Sequence, residues 1–163
     1  MGEPAVTDLR QALRELELID HVVDNRRRTK GFEHYIPNQH QLRAHSSKAR
    51  FVILCGANRI GKSTFGAVEL AYHLTSNYPD WYPKERRFYK PIKAVVVCLE
   101  NQLIERVIEP KIKEYMPAGY VTNWKRVSGG YLSKIKCKDG STVDLLTSEQ
   151  DDMAFEGADW DFY

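Results

Sequence analysis

The sequence has few cysteines and no long apolar run. Its three cysteines, Cys55, Cys98 and Cys137, are an odd number in strand-like segments, which argues against a disulfide framework or a metal cluster. We expect them to be reduced core residues of a cytosolic protein. No apolar stretch approaches the roughly 18 residues of a membrane span, and the N-terminus is charged rather than signal-like, so no membrane association is expected.

Basic residues are missing from the last part of the chain. Segment 139–163 has eight acids and no Lys or Arg, whereas segment 84–138 has 13 Lys and Arg and five acids. The net charge of the 163-residue chain is nevertheless only +2. Such asymmetry fits one face for a polyanion and another for cations or a basic partner, and it fits solvated faces that segregate by chance equally well.

What the chain does have is a complete G-x-x-x-x-G-K-[ST] pattern, Gly-Ala-Asn-Arg-Ile-Gly-Lys-Ser-Thr at residues 56–64. The apolar run 51–55 before it has the length and composition of a buried strand, and 65–72 after it has apolar residues at helical spacing. Gly56 and Gly61 let the chain curl so that backbone N–H groups surround an anion, and the helix start adds its own free N–H groups. The sequence therefore predicts a nucleoside triphosphate site.

All residues of this loop are candidate ligand contacts: Gly56, Ala57, Asn58, Arg59, Ile60, Gly61, Lys62, Ser63 and Thr64. Lys62 is expected to reach the outer phosphates, and the Ser63 hydroxyl to bind Mg²⁺. Arg59 is a further catalytic candidate, because an always-charged planar donor could stabilise the γ-phosphate in cis or report nucleotide state to a neighbouring subunit. A structural ion pair on the outer side of the loop is the alternative role for Arg59.

Local patterns also predict the helices. Residues 6–28 read as an amphipathic helix that ends at Arg26–Arg28. Its apolar stripe consists of Leu9, Leu13, Leu16, Ile19 and Val23. Further helices are expected around 39–47 and from 101 to 116, the latter kinked or divided at Pro110.

Apolar and alternating runs predict the strands. Residues 92–99 read as a buried strand of the kind found in parallel sheets, and 131–147 as a β-hairpin that turns at Asp139–Gly140. Residues 160–163 read as the start of another buried strand.

No acidic pair suited to ATP hydrolysis follows the loop, although hydrolysis needs an acid to anchor Mg²⁺ and usually a second residue to orient water. Asp151–Asp152 read as part of a loop, and Asp159 and Asp161 fall at the wrong end of the last strand for a nucleotide. We therefore interpret the chain as a fragment that ends inside its own acid-bearing strand.

Four segments, in this order along the chain, resemble the ATPase domain of viral large terminase subunits, the motors that package double-stranded DNA into phage heads. Residues 37–45 resemble the family's glutamine motif and 56–64 its phosphate loop. Parts of 73–88 resemble the segment between its first two core strands, and parts of 148–161 the approach to its acidic strand. The resemblance implies an α/β fold of the additional-strand, RecA-like class of P-loop NTPases, with a mostly parallel sheet flanked by helices and a hairpin near the C-terminus.

On this resemblance, residues 1–31 are an N-terminal helix and 32–163 the first part of the ATPase domain, without the nuclease domain. The Asp–Glu pair of the family would fall beyond Tyr163, so ATP hydrolysis is expected of the parent protein and not of this fragment. The implied cofactors are ATP and Mg²⁺. The implied partners are double-stranded DNA, the portal protein, the small terminase subunit and other copies in a ring, in the host cytoplasm and transiently on the procapsid.

The resemblance also assigns the base of the nucleotide to the glutamine motif. Gln41 is expected to read adenine, with Gln39 as the alternate, and Tyr35 or Ile36 to pack on the face of the base. An arginine that acts on a neighbouring subunit's nucleotide is not evident near the acidic strand.

Some alternatives stay open. Arg106 and Arg126 are the candidates for the arginine that acts in trans. The basic and aromatic cluster 84–90 either contacts DNA phosphates or pins a long loop onto the core. The chain could also be a helicase-like ATPase, which can carry a similar glutamine motif, or a nucleotide-binding module that does not hydrolyse ATP.

Overall fold

The computed structural model describes residues 9, 11–20, 22–23, 31–128, 130–148, 150 and 159–163. Residues 11–20 are helical, as expected for the N-terminal segment. The predicted apolar stripe is exposed at each of its positions: Leu9, Leu13, Leu16, Ile19 and Val23. Within the described ranges, no helix is both long enough and apolar enough to cross a membrane. The expected helix end at Arg26–Arg28 lies outside these ranges.

Three helices follow along the chain. Helix α1 is Gln39–His45, and α2 is Lys62–Thr75. Helix α3 consists of Asn101–Leu103, a π-helical turn at Ile104–Ile108, and Glu109–Tyr115. Short 3-10 turns lie at Gly31–His34 and Lys84–Arg86. The helices predicted around 39–47 and 101–116 are thus confirmed, and Pro110 lies in the first turn of the last part of α3, where its missing N–H is tolerated.

Four strands form one mixed sheet in the order β1-β4-β3-β2. The strands are β1 at Lys93–Cys98, β2 at Val121–Arg126, β3 at Leu132–Cys137 and β4 at Thr142–Thr147. Strands β1 and β4 run parallel, with Ala94 opposite Val143. Phe162 adds one parallel bridge to Ala94 on the other side of β1. The predicted hairpin and the predicted strand at 92–99 are confirmed.

The expectation of a mostly parallel, RecA-like sheet is wrong. Only the β1–β4 pair is parallel, whereas β4–β3 and β3–β2 are antiparallel. The reason is that the hairpin joins β1 directly through β4, and β2, which the sequence did not indicate, pairs beyond β3. Helices pack on a small mixed sheet instead.

The apolar run 51–55 is not a strand, contrary to expectation. It belongs to no ladder of the described sheet, and Phe51 and Ile53 are 80% and 86% exposed. An extended segment becomes a strand only when a neighbour satisfies its backbone N–H and C=O groups, and none of the described strands pairs with this run. Cys55 is therefore exposed rather than in the core, whereas Cys137 is buried.

The core lies where α2 and α3 pack on the sheet. Its fully buried apolar residues include Val68, Leu70 and Leu74 of α2, Ile104 and Ile112 of α3, and Leu132, Ile135, Val143 and Leu145 of the hairpin. Each such side chain contributes about 1.5–3 kcal/mol when removed from water. This packing fixes α2, whose first turn carries Lys62 and Ser63.

Candidate functional site

The 56–64 loop curls back on itself at the start of α2. Arg59 and Gly61 both have left-handed backbone angles, with φ of +69° and +88°. A Cβ at Gly61 would lie 2.5 Å from Nε2 of Gln41, so both the backbone and the available space favour glycine there. The curl places Nζ of Lys62 2.8 Å from the carbonyl oxygens of Gly56 and Ala57, to which it donates. The ammonium group therefore lies against the loop that precedes it.

Helix α2 begins with unpaired backbone donors. Its N-cap is Gly61, which makes no side-chain capping bond. The N–H of Phe65 donates to the carbonyl of Gly61 at 2.9 Å, the first hydrogen bond of the helix. The three N–H groups between them have no partner within the helix. Free N–H groups and the positive end of the helix dipole favour an anion at this point.

Helix α1 contacts the end of the loop through its capping residues. Nε2 of Gln41 donates to the carbonyl of Gly61 at 3.0 Å, and Oε1 of Gln41 accepts from the N–H of Asn38 at 2.9 Å. The side chain of Asn38 completes the capping box and also lies 3.5 Å from the carbonyl of Ile60. Helix α1 and the loop are thus neighbours, and the Gln41 amide contacts loop backbone.

A cavity of about 1120 Å³ lies between α1 and the 56–64 loop. The predicted residues that line it are Gln39, Gln41, Gly56, Ala57, Arg59, Ile60, Gly61 and Lys62. Arg43 of α1 adds a further cation, and no Asp or Glu among the described residues lines this cavity. Clustered cations without a neighbouring acid create a positive potential that attracts a polyanion.

Three residues of the loop lie elsewhere. Asn58, Ser63 and Thr64 do not line the larger cavity. Ser63 instead lines a smaller cavity of about 570 Å³, between the run 51–53, α2 and β1. The walls of this second cavity combine apolar residues such as Leu70 and Val95 with the cations Arg50, Arg86 and Lys111.

The two residues expected at the face of the base differ in position. The hydroxyl of Tyr35 lies 3.0 Å from Nε2 of His45, and its ring packs edge-on against Tyr115, so Tyr35 belongs to the interior. Ile36 is 89% exposed. Neither Tyr35 nor Ile36 lines the larger cavity.

A buried polar network, which the sequence reasoning missed, is centred on Glu69. Oε1 of Glu69 lies 2.8 Å from Nδ1 of His45 and accepts from Arg86 at 3.3 Å. Oε2 accepts from the Tyr82 hydroxyl at 2.6 Å and lies 3.3 Å from Nε2 of His73. Glu69 is only 2% exposed. One carboxylate therefore joins α1, α2 and the segment 78–90.

The network keeps Glu69 ionised. Burial alone would raise the pKa of Glu69, but hydrogen bonds from His45, His73 and Tyr82 and the charge of Arg86 lower it to about 2. Burial and the charge of Glu69 raise the pKa of Tyr82 above its usual range. At neutral pH the pair is thus a carboxylate and a neutral phenol, which is the combination that their hydrogen bond requires.

The aromatic segment 78–90 is pinned to the core. Tyr82 is fully buried, and Arg86 donates to the backbone carbonyl of Ser47 at 3.1 Å. Arg87 donates to the carbonyl of Tyr82 at 2.7 Å. Half of the basic and aromatic cluster, Arg86, Arg87 and Phe88, is thus partly buried, whereas Lys84, Tyr89 and Lys90 stay exposed.

The remaining candidates lie away from the larger cavity, which is not lined by Arg106, Arg126, Asp159 or Asp161. Arg126 forms an ion pair with Glu109 of α3. Asp161 accepts a hydrogen bond from the N–H of Lys93 at 3.0 Å, at the start of β1. Asp151–Asp152 lie outside the described residues.

Part of the chain is similar to a known protein, the terminase large subunit of Salmonella phage P22. The two sequences are 31% identical over the matched part, which covers 42% of this chain and 18% of the relative. No family model matches the chain, and neither does any solved structure. The chain thus covers less than a fifth of this relative's length, and over part of its own length it is similar to a phage terminase large subunit.

Proposed function

We propose that the chain binds the polyphosphate of Mg-ATP at the 56–64 loop and is the ATP-binding part of a terminase-like ATPase that packages DNA. The observation that carries this proposal is the position of Lys62. Its ammonium lies 2.8 Å from two loop carbonyls, at the start of a helix with free N–H groups. A phosphate oxygen carries more charge than a carbonyl and is the stronger partner for an ammonium, so a bound triphosphate would replace these contacts.

The donors around the loop fit a polyphosphate. The loop closes tightly, because a Cβ at Gly56 would meet the end of the Ile60 side chain. Lys62 and Arg59 line the cavity together with Gly61. Among the residues that the structure describes, no Asp or Glu lines this cavity. We assign to Lys62 the outer phosphates and to Arg59 the stabilisation of charge on the γ-phosphate.

Magnesium fits as part of the metal–nucleotide complex. No group of three His, Cys, Asp or Glu side chains in the described part of the chain could hold a metal ion. Mg²⁺ binds proteins through one or two oxygen ligands together with substrate phosphates. The hydroxyl of Ser63 is the proposed protein ligand, and the ion would neutralise phosphate charge when bound.

The similarity to a terminase large subunit supports the wider role. We propose double-stranded DNA, the portal protein, the small terminase subunit and other copies of the chain as partners, in the host cytoplasm and on the procapsid. The excess of Lys and Arg in segment 84–138 is compatible with sequence-independent contacts to DNA phosphates.

Calorimetric titration with Mg-ATP tests the proposed site. Lys62→Ala should weaken binding by about tenfold to a hundredfold, the range for a lost hydrogen bond to a charged group. Lys138→Ala is the matched control, because Lys138 is exposed and lines neither cavity. Equal affinity of the unaltered chain and Lys62→Ala would contradict the assignment.

A nucleotide-binding module without hydrolysis is the second candidate. The observation that favours it is that no acid of the described residues lines the larger cavity. Hydrolysis requires a residue that orients the attacking water and one that anchors Mg²⁺. Binding without phosphate release would distinguish this function from that of an ATPase.

A further inference from the structure

Both ends of the Gln41 amide are bound to the chain itself. Oε1 accepts from the N–H of Asn38, and Nε2 donates to the carbonyl of Gly61. The residue is only 6% exposed, so little of it faces the cavity. Each amide atom keeps one further hydrogen-bonding position, but turning this buried group toward a base would strain both bonds, one of which is half of the capping box.

The carbonyl of Gly61 is held from two directions. It accepts from Nε2 of Gln41 at 3.0 Å and from the N–H of Phe65 at 2.9 Å. A trans peptide places its C=O and its N–H on opposite sides, so a fixed carbonyl at Gly61 also fixes the direction of the Lys62 N–H. That N–H is the first free donor of α2.

The far end of α1 is anchored as well. Nδ1 of His45 lies 2.8 Å from Glu69 in the middle of α2, and Arg86 donates to the carbonyl of His45 at 3.3 Å. A seven-residue helix that is held at both ends keeps its position relative to α2. Gln41 is therefore kept against Gly61 by groups outside the cavity.

We propose that Gln41 is a positioning residue for the phosphates: it holds the Gly61–Lys62 peptide in the orientation that presents Lys62 to a polyphosphate, and it does not select the base. The inference rests on the proposed binding of a nucleotide at the 56–64 loop. On this proposal, Gln41 affects the binding of the triphosphate group, which ATP, GTP and inorganic tripolyphosphate share.

Titration of the full chain with Mg-ATP, Mg-GTP and Mg-tripolyphosphate tests the proposal. Gln41→Ala should weaken all three by the same factor, about tenfold, which corresponds to one hydrogen bond that orients a binding group. Gln102→Ala is the matched control, because Gln102 is an exposed glutamine of α3 that lines neither cavity. It should leave all three affinities unchanged.

A second variant separates positioning from helix capping. Gln41→Glu keeps an acceptor for the Asn38 N–H but presents an oxygen to the carbonyl of Gly61. A role in capping alone predicts unchanged binding by Gln41→Glu, whereas the positioning role requires a loss at least as large as that of Gln41→Ala. Gln39→Glu adds the same charge to the same cavity and measures the repulsion between carboxylate and phosphate.

The outcomes separate this inference from the function on which it rests. A loss confined to ATP, or unchanged affinity of both Gln41 variants, overturns the inference and leaves the proposed nucleotide site intact. Failure of the unaltered chain to bind any of the three ligands overturns the proposed function, and the inference with it.

Discussion

Nδ1 of His45 lies 2.8 Å from Oε1 of Glu69, and both side chains are buried. His45 ends α1 and Glu69 lies in the middle of α2, so this pair joins the helix of the glutamine motif to the helix that starts with Lys62. Because Glu69 also accepts from Tyr82, the same carboxylate holds the segment 78–90. The walls of the larger cavity are thus supported by a charge that lies outside it.

Glu69 should make the stability of the chain depend on acid pH. Its pKa of about 2 in the folded chain lies below the ordinary 4.5, so its contribution is present above pH 4.5 and is lost as the pH falls toward 2. A difference of this size corresponds to about 3 kcal/mol. Urea unfolding at several pH values should show Glu69→Gln less stable than the unaltered chain at pH 7, with the gap closing toward pH 2.

Glu114→Gln is the control for this experiment. Glu114 forms an exposed ion pair with Lys111, and such pairs contribute about 0–1 kcal/mol. The control should therefore unfold much like the unaltered chain at every pH. A gap between the unaltered chain and Glu69→Gln that keeps its size from pH 7 to pH 2 would show that the carboxylate charge of Glu69 does not stabilise the fold.

Gly31 is expected to tolerate no side chain. Its φ is +58°, and a Cβ there would overlap the carbonyl oxygen of Tyr115. Gly31→Ala should lower the free energy of unfolding by about 2–4 kcal/mol, from backbone strain and overpacking together. Gly130→Ala is the comparison, since Gly130 has a φ of +86° but no atom within 4 Å of the new Cβ. Equal losses in the two variants would contradict the close approach to Tyr115.

Replacement of Gly66 by alanine is expected to stabilise the chain. It lies within α2, has no left-handed angle, and an added Cβ would meet nothing within 4 Å. Gly66→Ala should raise the free energy of unfolding by about 0.5–1 kcal/mol, because alanine loses less conformational freedom in a helix. Chemical denaturation measures this, and a destabilised Gly66→Ala would mean that the space beside α2 is filled in solution.

Phosphate release from Mg-ATP should be low for this chain even where Mg-ATP binds. The larger cavity has cations for the phosphates but no described acid to orient the attacking water. The rate should stay low with and without double-stranded DNA. If the unaltered chain instead releases phosphate well above background and Lys62→Ala does not, an acid of this chain reaches the loop.

Elements with a local signal were predicted correctly from the sequence. The spacing of apolar residues predicted α2, and Asp139–Gly140 predicted the turn of the hairpin, where Gly140 has a φ of +93°. The prediction of a strand at 51–55 was wrong, because strand formation depends on pairing with a neighbouring strand, and the composition of a segment does not reveal that pairing. Strand β2 was missed because most of its residues, such as Asn123 and Lys125, are polar and exposed.

The candidate site was predictable in part for a similar reason. The G-x-x-x-x-G-K-[ST] motif singled out Lys62 and the loop, and the resemblance singled out Gln41. The partner of Gln41 was not predictable, because the same amide atoms can bind a base or a backbone carbonyl. Glu69 carried a usable signal, since it interrupts an apolar run with His73 one turn further on, but Tyr82 and His45 join it only through the fold.

The pairing of β1 with β4 also sets the order in which this chain can assemble. The N–H of Ile92 donates to the hydroxyl of Ser141, and these residues are 49 positions apart. Closing a loop of that length costs about 2 kcal/mol more chain entropy than closing the short turn of the hairpin. The hairpin of β3 and β4 can form within microseconds. Pairing of β1 with β4 is slower, because the chain between them, which includes α3 and β2, must first become compact. The folding rate is therefore expected to be limited by the meeting of Ile92 and Ser141, and the hairpin to dock onto β1 as a preformed unit.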